Sequence, residues 1–146
     1  MYEIRNEIEI DGSIEQVWDV LTDFGRFPEW NPVIHQVTGS LAVGQTVVIS
    51  VTGPAGERPW SVEVAKVHPE REFAWKFYER TPLLYRGEHT FRLEPIDQQR
   101  THYIDRETFR GLLVPLRKRH LGTKTKAGMV AMGEALKQRV ESGVGT

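Results

Sequence analysis

The sequence predicts an α+β domain in which a curved, seven-stranded antiparallel sheet wraps around a long C-terminal helix. Seven segments alternate apolar with polar residues and are separated by short turns, which is the pattern of an antiparallel meander. A short amphipathic segment follows the first of them, and after residue 120 the apolar period changes from two to that of a helix. A chain of 146 residues suits one such domain with one core.

The N-terminal part of the chain predicts a strand followed by two short helices. Isoleucines and a tyrosine alternate with charged residues over residues 2–10, and the Asp11-Gly12 pair then predicts a turn. Ser13 and Gln16 have the spacing of a capping box, so we expect a helix to begin directly after Ser13.

The segment after that helix carries more aromatic surface than an ordinary loop. Phe24, Phe27 and Trp30 follow one another at three-residue spacing, while Pro28 and Pro32 prevent a long regular helix. Large aromatic side chains in a folded domain are mostly buried. We therefore expect this segment to pack against the sheet.

Six further strands are predicted from alternating residues and from the turns between them. They lie at residues 33–38, 45–52, 60–68, 73–79, 85–94 and 101–110. The glycines and proline of residues 53–56 predict a tight turn between the second and third of these strands.

The C-terminal region predicts the long helix. Its apolar stripe consists of Leu121, Met129, Met132, Leu136 and Val140. Gly122 and Gly133 fall on the same arc, and they either leave a gap between helix and sheet or allow close packing there. Residues 142–146 are predicted to be a disordered tail.

Composition and charge exclude several function classes. Nineteen basic residues nearly cancel twenty acidic ones, so the chain as a whole has no bulk attraction for nucleic acid or for an anionic membrane. The absence of cysteine excludes disulfides and thiolate chemistry, and it is compatible with a cytoplasmic location. No apolar run is long enough to span a membrane, and no stable membrane insertion is expected. We find no phosphate-binding loop, dinucleotide motif or metal-ligand spacing, so neither a cofactor nor a metal is predicted.

Ionisable residues on the last two strands form the candidate functional cluster. If Tyr103 and Phe109 face the core, the period of two also turns Asp105 and Glu107 inward. His89 lies on the apolar side of the preceding strand, close to both carboxylates. Carboxylates in such a place need partners, or their pKa values rise.

Three interpretations of His89, Asp105 and Glu107 remain open at this point. The last strand could be inverted, or the acids could belong to a satisfied structural network with an arginine or the Tyr103 hydroxyl. Alternatively, the three side chains orient the polar end of a ligand. The third interpretation is general acid–base chemistry, with a carboxylate as base and His89 as acid.

Several of these segments resemble the START-like (SRPBCC) superfamily, whose fold is the helix-grip fold. The resemblance rests on Val17-Trp18-Asp19-Val20-Leu21 with Asp23, on Phe27-Pro28-Glu29-Trp30-Asn31-Pro32, and on residues 87–93, 107–113 and 132–137. The chain is most similar to the bacterial group described as polyketide cyclase/dehydrase and lipid-transport proteins. The resemblance implies one domain over residues 1–141, with a cavity between sheet and long helix that holds a small hydrophobic molecule. It transfers no catalytic residue, since one fold carries many functions.

The predicted function is the binding of a small hydrophobic or aromatic ligand, of lipid or polyketide type, by a monomer or homodimer. The candidate ligand-binding residues are Phe27, Trp30, Trp75, Phe77, Tyr85, His89, Phe91, Tyr103, Asp105, Glu107, Phe109, Met129 and Leu136. One alternative is a polyketide cyclase or dehydratase that uses acid–base residues in the cavity. Another is a protein-interaction module similar to the chaperone-ATPase activators that share the fold.

Two surface features flank the predicted cavity. Apolar residues 83–85 and 112–116 form an entrance, a dimer contact or ordinary core packing. The basic run at residues 117–120 binds an anionic group or is simply a solvated helix face. No nucleic-acid partner is predicted, because no aromatic residues are interleaved with the basic ones.

Overall fold

The computed structural model of the chain describes residues 1–53 and 56–143, and it confirms the predicted fold class. The sheet contains β1 (Tyr2–Ile10), β2 (Ile34–Thr38), β3 (Thr46–Gly53), β4 (Gly56–His68), β5 (Glu72–Tyr78), β6 (Arg86–Asp97) and β7 (Arg100–Arg110). The helices are α1 (Ile14–Thr22), α2 (Phe27–Trp30), α3 (Val114–His120) and α4 (Lys126–Glu141). Two residues of the predicted turn at 53–56, Pro54 and Ala55, lie outside the described part of the chain.

The seven strands form one antiparallel sheet in the order β1-β7-β6-β5-β4-β3-β2. Strands β2 to β7 are therefore a meander, and β1 returns to lie beside β7. Register shifts occur in β4 between Val64 and Lys66 and in β6 between Pro95 and Asp97. Such irregularities increase the local bend of a strand, which suits a sheet that curls around a helix.

The predicted capping box begins α1. The Ser13 hydroxyl accepts a hydrogen bond from the Gln16 backbone N–H, and the Gln16 side chain accepts one from the Ser13 N–H. A 3₁₀ turn at Phe24–Arg26 leads into α2, where Pro28 lies in the first turn and its missing N–H is not needed. Phe27 is buried, and Phe24 packs edge-on against it with ring centroids 5.2 Å apart.

The C-terminal helix runs over 28 residues because a π-helical segment, Leu121–Thr125, joins α3 to α4. Its glycines allow close packing and leave no gap. A Cβ atom at Gly133 would lie 3.1 Å from Asn6 Nδ2, and one at Gly122 would lie 3.0 Å from the Tyr2 hydroxyl. Ser142 and Gly143, from the predicted tail, donate backbone hydrogen bonds to Gln138 and Val140, whereas residues 144–146 lie outside the described part.

The long helix also contacts the free edge of the sheet. The ammonium group of Lys126 donates to the backbone carbonyl of Arg5, and that of Lys137 donates to the carbonyl of Glu9 at 2.9 Å. Both carbonyls belong to β1, which pairs with a single strand, β7, in the part of the chain that the structure describes. No helix among the described residues is long and apolar enough to cross a lipid bilayer.

The buried apolar residues form two clusters. The larger cluster contains Trp75 and Phe91 and extends under α1, α2 and the C-terminal half of α4. The smaller cluster consists of Ile4, Tyr85, Phe109, Val114, Leu121 and Met129. Phe77 is partly buried and packs against both of them.

Candidate functional site

The division of the core coincides with one row of residues across the sheet. Strand pairing places Trp75 beside His89, His89 beside Glu107, and Glu107 beside Ile4. Trp75 belongs to the larger apolar cluster and Ile4 to the smaller one. Two ionisable side chains therefore lie on the inner face of the sheet at the boundary between the clusters.

Alternation along β7 brings the remaining polar groups to the same face. Tyr103, Asp105, Glu107 and Phe109 are all buried, whereas Arg106 between them is exposed. His102 points to the other face, where it contacts the Glu7 carboxylate at 2.8 Å. The last strand is therefore not inverted.

His89, Tyr103, Asp105 and Glu107 are linked in one chain, which we call the polar cluster. Nε2 of His89 lies 2.5 Å from Oδ1 of Asp105, and Nδ1 of His89 lies 3.5 Å from Oε1 of Glu107. The Tyr103 hydroxyl donates to the other Asp105 oxygen at 3.4 Å. The imidazole ring also stacks on Phe91, with a centroid separation of 4.1 Å. Hydrogen bonds thus join the phenol, the Asp105 carboxylate and the imidazole, and an ion-pair contact adds the Glu107 carboxylate.

Neighbouring charges and burial both shift the pKa values of the polar cluster, and on His89 they act in opposite directions. Burial alone lowers the pKa of His89, but the negative charges of Asp105 and Glu107 and the hydrogen bond to Asp105 outweigh it and raise that pKa to about 9. At neutral pH the imidazole is therefore a cation with an N–H on each ring nitrogen. Burial, assisted by the Asp105 charge, raises the pKa of Glu107, although the His89 cation acts against this. Burial also raises the pKa of Tyr103, which remains a donor.

Solvent access differs within the polar cluster. The side chains of His89 and Glu107 keep 14% and 11% of their surface accessible, whereas that of Asp105 keeps 1%. Asp105 therefore supports the cluster from inside, while the accessible surface of the cluster belongs mainly to His89 and Glu107. The contact between His89 and Glu107 is also the longer of the two ion-pair contacts.

Tyr85 extends the site toward the C-terminal helix. Burial and the nearby Glu107 charge raise the pKa of its phenol to about 12. The Arg117 guanidinium lies 4.4 Å above the Tyr85 ring and holds the Glu79 carboxylate through two hydrogen bonds of 2.7 and 3.3 Å. A bidentate pair of this kind fixes the arginine over the ring.

The predicted ligand-binding residues fall into two groups. Less than 2% of the surface is accessible for Phe27, Trp75, Phe91, Tyr103, Asp105, Phe109 and Leu136. Accessible area includes the wall of any internal void that holds water, so these seven residues line no such void and are part of the packed core. Their role as ligand contacts stays a prediction, because a ligand reaches these side chains only when the core packing opens. Accessible surface remains at Trp30, Phe77, Tyr85, His89, Glu107 and Met129.

Trp60 and Asn31 were not among the predicted site residues. Trp60 is partly buried beside Phe77, with ring centroids 6.3 Å apart, and the Arg58 guanidinium lies 4.9 Å from its ring centroid. Its alternation with Val62 along β4 is the signal that places it on the inner face. Asn31 is 3% exposed and its Nδ2 has no hydrogen-bond partner among the described residues. No sequence pattern identifies that unpaired group.

A groove of about 820 Å³ lies on the opposite, outer face of the sheet. Its lining combines outward polar residues, among them Ser61, Glu63, Lys76, Glu88 and Thr108, with the apolar or aromatic residues Val62, Phe77, Tyr78 and Pro82. Since it is separated from the polar cluster by the sheet itself, it does not provide the predicted cavity between sheet and helix. Within the described residues no group of histidine and acidic side chains is arranged to hold a metal ion.

Comparison with known proteins supports the architecture. The family model described as polyketide cyclase / dehydrase and lipid transport matches residues 1–141. No curated protein sequence matches the chain.

Three solved structures illustrate the likeness of fold. The ZhuI aromatase/cyclase from Streptomyces sp. R1128 superposes with a TM-score of 0.78 and 18% identity, over 96% of this chain and 93% of that one. A START superfamily protein from Mycobacterium smegmatis gives 0.72 and 19%, over 97% and 99%. A point mutant of norcoclaurine synthase from Thalictrum flavum, in complex with a transition-state analogue, gives 0.74 and 15%, over 97% and 95%. At these identities the likeness establishes the fold alone.

Proposed function

The chain belongs to the family described as polyketide cyclase / dehydrase and lipid transport, within the START-like superfamily, and we propose that it binds a small hydrophobic or aromatic ligand on the inner face of the sheet. This membership confirms the resemblance predicted from residues 17–32 and the other matching segments. The same proposal includes a cytoplasmic location, which rests on the absence of cysteine.

One observation supports the proposal most directly, namely the accessible pair of His89 and Glu107 between two apolar clusters. A buried ion pair is weak evidence for stability, because well-packed apolar residues of the same volume usually serve as well or better. Polar groups that converge within apolar and aromatic surroundings are instead typical of a small-molecule site.

The ligand's body and its polar end would be held by different residues. Phe77, Trp60 and Trp30 have partly exposed aromatic surface that suits an apolar or aromatic body. At the polar end, a carbonyl or hydroxyl group accepts a hydrogen bond from the His89 cation, in place of the 3.5 Å contact with Glu107. Glu107 is then free to pair with a donor on the same ligand.

A second candidate function is acid–base catalysis on a poly-ketone, and the raised pKa of Glu107 favours it. Glu107 would remove a proton beside a carbonyl group, and the His89 cation would donate to the oxygen that becomes negative. The ZhuI protein is named an aromatase/cyclase, so aromatic polyketides are the first substrates to test.

A thermal-shift screen against aromatic polyketides, fatty acids and sterols tests ligand binding. A ligand at 100 times its dissociation constant stabilises the folded state by about 2.7 kcal/mol and raises Tm. We expect at least one class to raise Tm, and Glu107→Gln to weaken that response. Glu88→Gln is the matched control, because Glu88 is exposed on the outer face of the same strand as His89 and should leave the response unchanged.

The same variants separate the candidate functions. Under simple binding, Glu107→Gln lowers affinity. Under catalysis it abolishes turnover and largely spares affinity, and the wild-type rate has a bell-shaped pH profile. If no ligand class raises Tm, the binding proposal is wrong, and the packed core then favours the protein-interaction module.

A further inference from the structure

Two loops at one end of the sheet are joined by backbone hydrogen bonds, and they expose three leucines. The Leu112 N–H donates to the Leu83 carbonyl at 3.1 Å, and the Leu113 N–H donates to the Leu84 carbonyl at 2.9 Å. Gly111, with φ +124°, allows this approach, since a Cβ there would lie 2.4 Å from the Leu84 oxygen. We call the side chains of Leu83, Leu112 and Leu116 the leucine tip.

The leucine tip is almost fully solvated. Leu83, Leu112 and Leu116 are 74%, 75% and 81% exposed, whereas Tyr85 and Val114 from the same loops are buried in the smaller apolar cluster. The buried residues anchor the loops, so the leucines are held outward. Grouped apolar side chains with a polar surround usually mark a site of interaction.

The two segments that carry the leucine tip are strongly basic. Residues 78–86 and 110–120 contain six arginines and lysines and a single acidic residue, Glu79, in a chain whose net charge is −1. Glu79 is already bound by Arg117. Arg86 and Arg110 lie directly opposite each other on β6 and β7, which brings two like charges together at this end of the sheet, with Glu88 in the same outer groove.

We infer that the leucine tip docks reversibly on an anionic membrane surface, with its leucines in the interfacial layer and the surrounding basic side chains on lipid phosphates. Exposed apolar side chains suit the interfacial layer of such a membrane, and the basic side chains around them suit its anionic head groups. This contact is superficial and requires no spanning segment. It is also independent of whether the polar cluster binds a ligand.

A second copy of the chain fits the leucine tip less well. Three leucines offer an area on the order of a few hundred Å², and a stable interface buries about 800 Å² on each partner. In a twofold symmetric dimer the same patch meets itself, so the basic residues would also face one another.

Vesicle co-sedimentation tests the inference directly. Full-length protein is mixed with vesicles of phosphatidylcholine alone, or of equal parts phosphatidylcholine and phosphatidylglycerol, at low and high salt. We expect binding to the anionic vesicles only, and weaker binding at high salt. The triple variant Leu83→Ser, Leu112→Ser, Leu116→Ser should bind at least about tenfold more weakly. Arg86→Glu with Arg119→Glu should cost about fivefold or more for each charge removed.

Matched controls exclude general effects of the substitutions. Val43→Ser removes an apolar side chain that is 64% exposed in the turn before β3, and Arg71→Glu reverses an exposed charge in the turn before β5. Both turns lie at the end of the sheet that is opposite to the leucine tip, so both variants should bind vesicles as the wild type does. Unchanged Tm values for all variants show that they are folded.

Three results would overturn the inference. The first is a wild-type protein that does not sediment with anionic vesicles, or that sediments equally with neutral ones. The second is a triple leucine variant that binds as tightly as the wild type. The third is a wild-type dimer, seen by light scattering, that the triple variant converts to monomer, because the leucine tip would then belong to a dimer interface.

Discussion

Nε2 of His89 lies 2.5 Å from Oδ1 of Asp105, and both side chains face the interior of the curved sheet. The pair places a cation against a carboxylate that has almost no solvent contact. The free energy of unfolding therefore depends on the protonation of His89, and solution measurements can detect this even before any ligand is known.

The free energy of unfolding should fall as pH rises from about 6.5 to about 9. His89 has a pKa of about 9 in the folded protein against a model value of 6.5, so the native state keeps a proton that the unfolded chain releases. The resulting stabilisation is complete below pH 6.5 and is lost as pH rises through 9. One such proton changes the free energy of unfolding by about 1.4 kcal/mol per pH unit. Urea denaturation at a series of pH values measures it.

Two histidine variants identify the source of this pH dependence. His89→Gln should remove the slope, while His102→Gln should keep it, because His102 is on the outer face beside the solvated Glu7. A wild-type stability that is flat from pH 6.5 to 9 would show that His89 titrates normally.

Asp105→Asn should destabilise the protein by up to roughly 3–5 kcal/mol at neutral pH, because it removes the nearer carboxylate from the buried His89 cation, and loss of the imidazole proton limits this cost. The pKa of His89 should also fall, since the larger charge effect that raises it is that of Asp105. NMR titration of the imidazole and urea denaturation measure the two effects. Glu7→Gln, which removes the carboxylate beside His102, is the surface control and should change stability far less. Equal effects of the two substitutions would argue against a buried ion pair.

Gly87→Ala should cost about 1–3 kcal/mol, as overpacking of a core does. A Cβ atom at Gly87 would lie 2.5 Å from Cζ of Phe77, so the ring must move. Phe77 packs against both apolar clusters, and the shift should also alter ligand response in the thermal-shift screen. Gly25→Ala should be neutral in both measurements, because the added carbon meets no other described residue beyond the local backbone within 4 Å. An unchanged Tm for Gly87→Ala would mean that Phe77 is loosely held.

The inward direction of alternate residues on β7 was predicted from Tyr103 and Phe109, although Ile104 between them is also buried. If the two aromatic residues face the core, the period of two fixes the direction of Asp105 and Glu107, but the sequence alone left the inverted strand open. Ser13 with Gln16 likewise predicted the start of α1, since a capping box acts within four residues.

Contacts between distant segments were less predictable. The pairing of His89 with Glu107 depends on the register of β6 against β7, which local patterns leave open. Whether Gly133 makes a gap or a close contact depends on the distance to Asn6 across the helix–sheet interface. The packing of Trp75 and Phe91 depends on distances of a few tenths of an ångström, and these have no signature in hydrophobic periodicity.

The two lysines that reach the carbonyls of Arg5 and Glu9 have a consequence for the protein in concentrated solution. An unpaired strand edge is a template for the strands of other molecules, and it can seed fibrillar aggregates. Ammonium groups occupy acceptors on β1 that an incoming strand would need, and the opposite edge, β2, is only five residues long and carries a register shift after Ile34. Loss of the C-terminal helix should therefore expose the unpaired edge of β1 as well as the core residues that Met132 and Leu136 now cover, and truncated chains should precipitate rather than merely unfold.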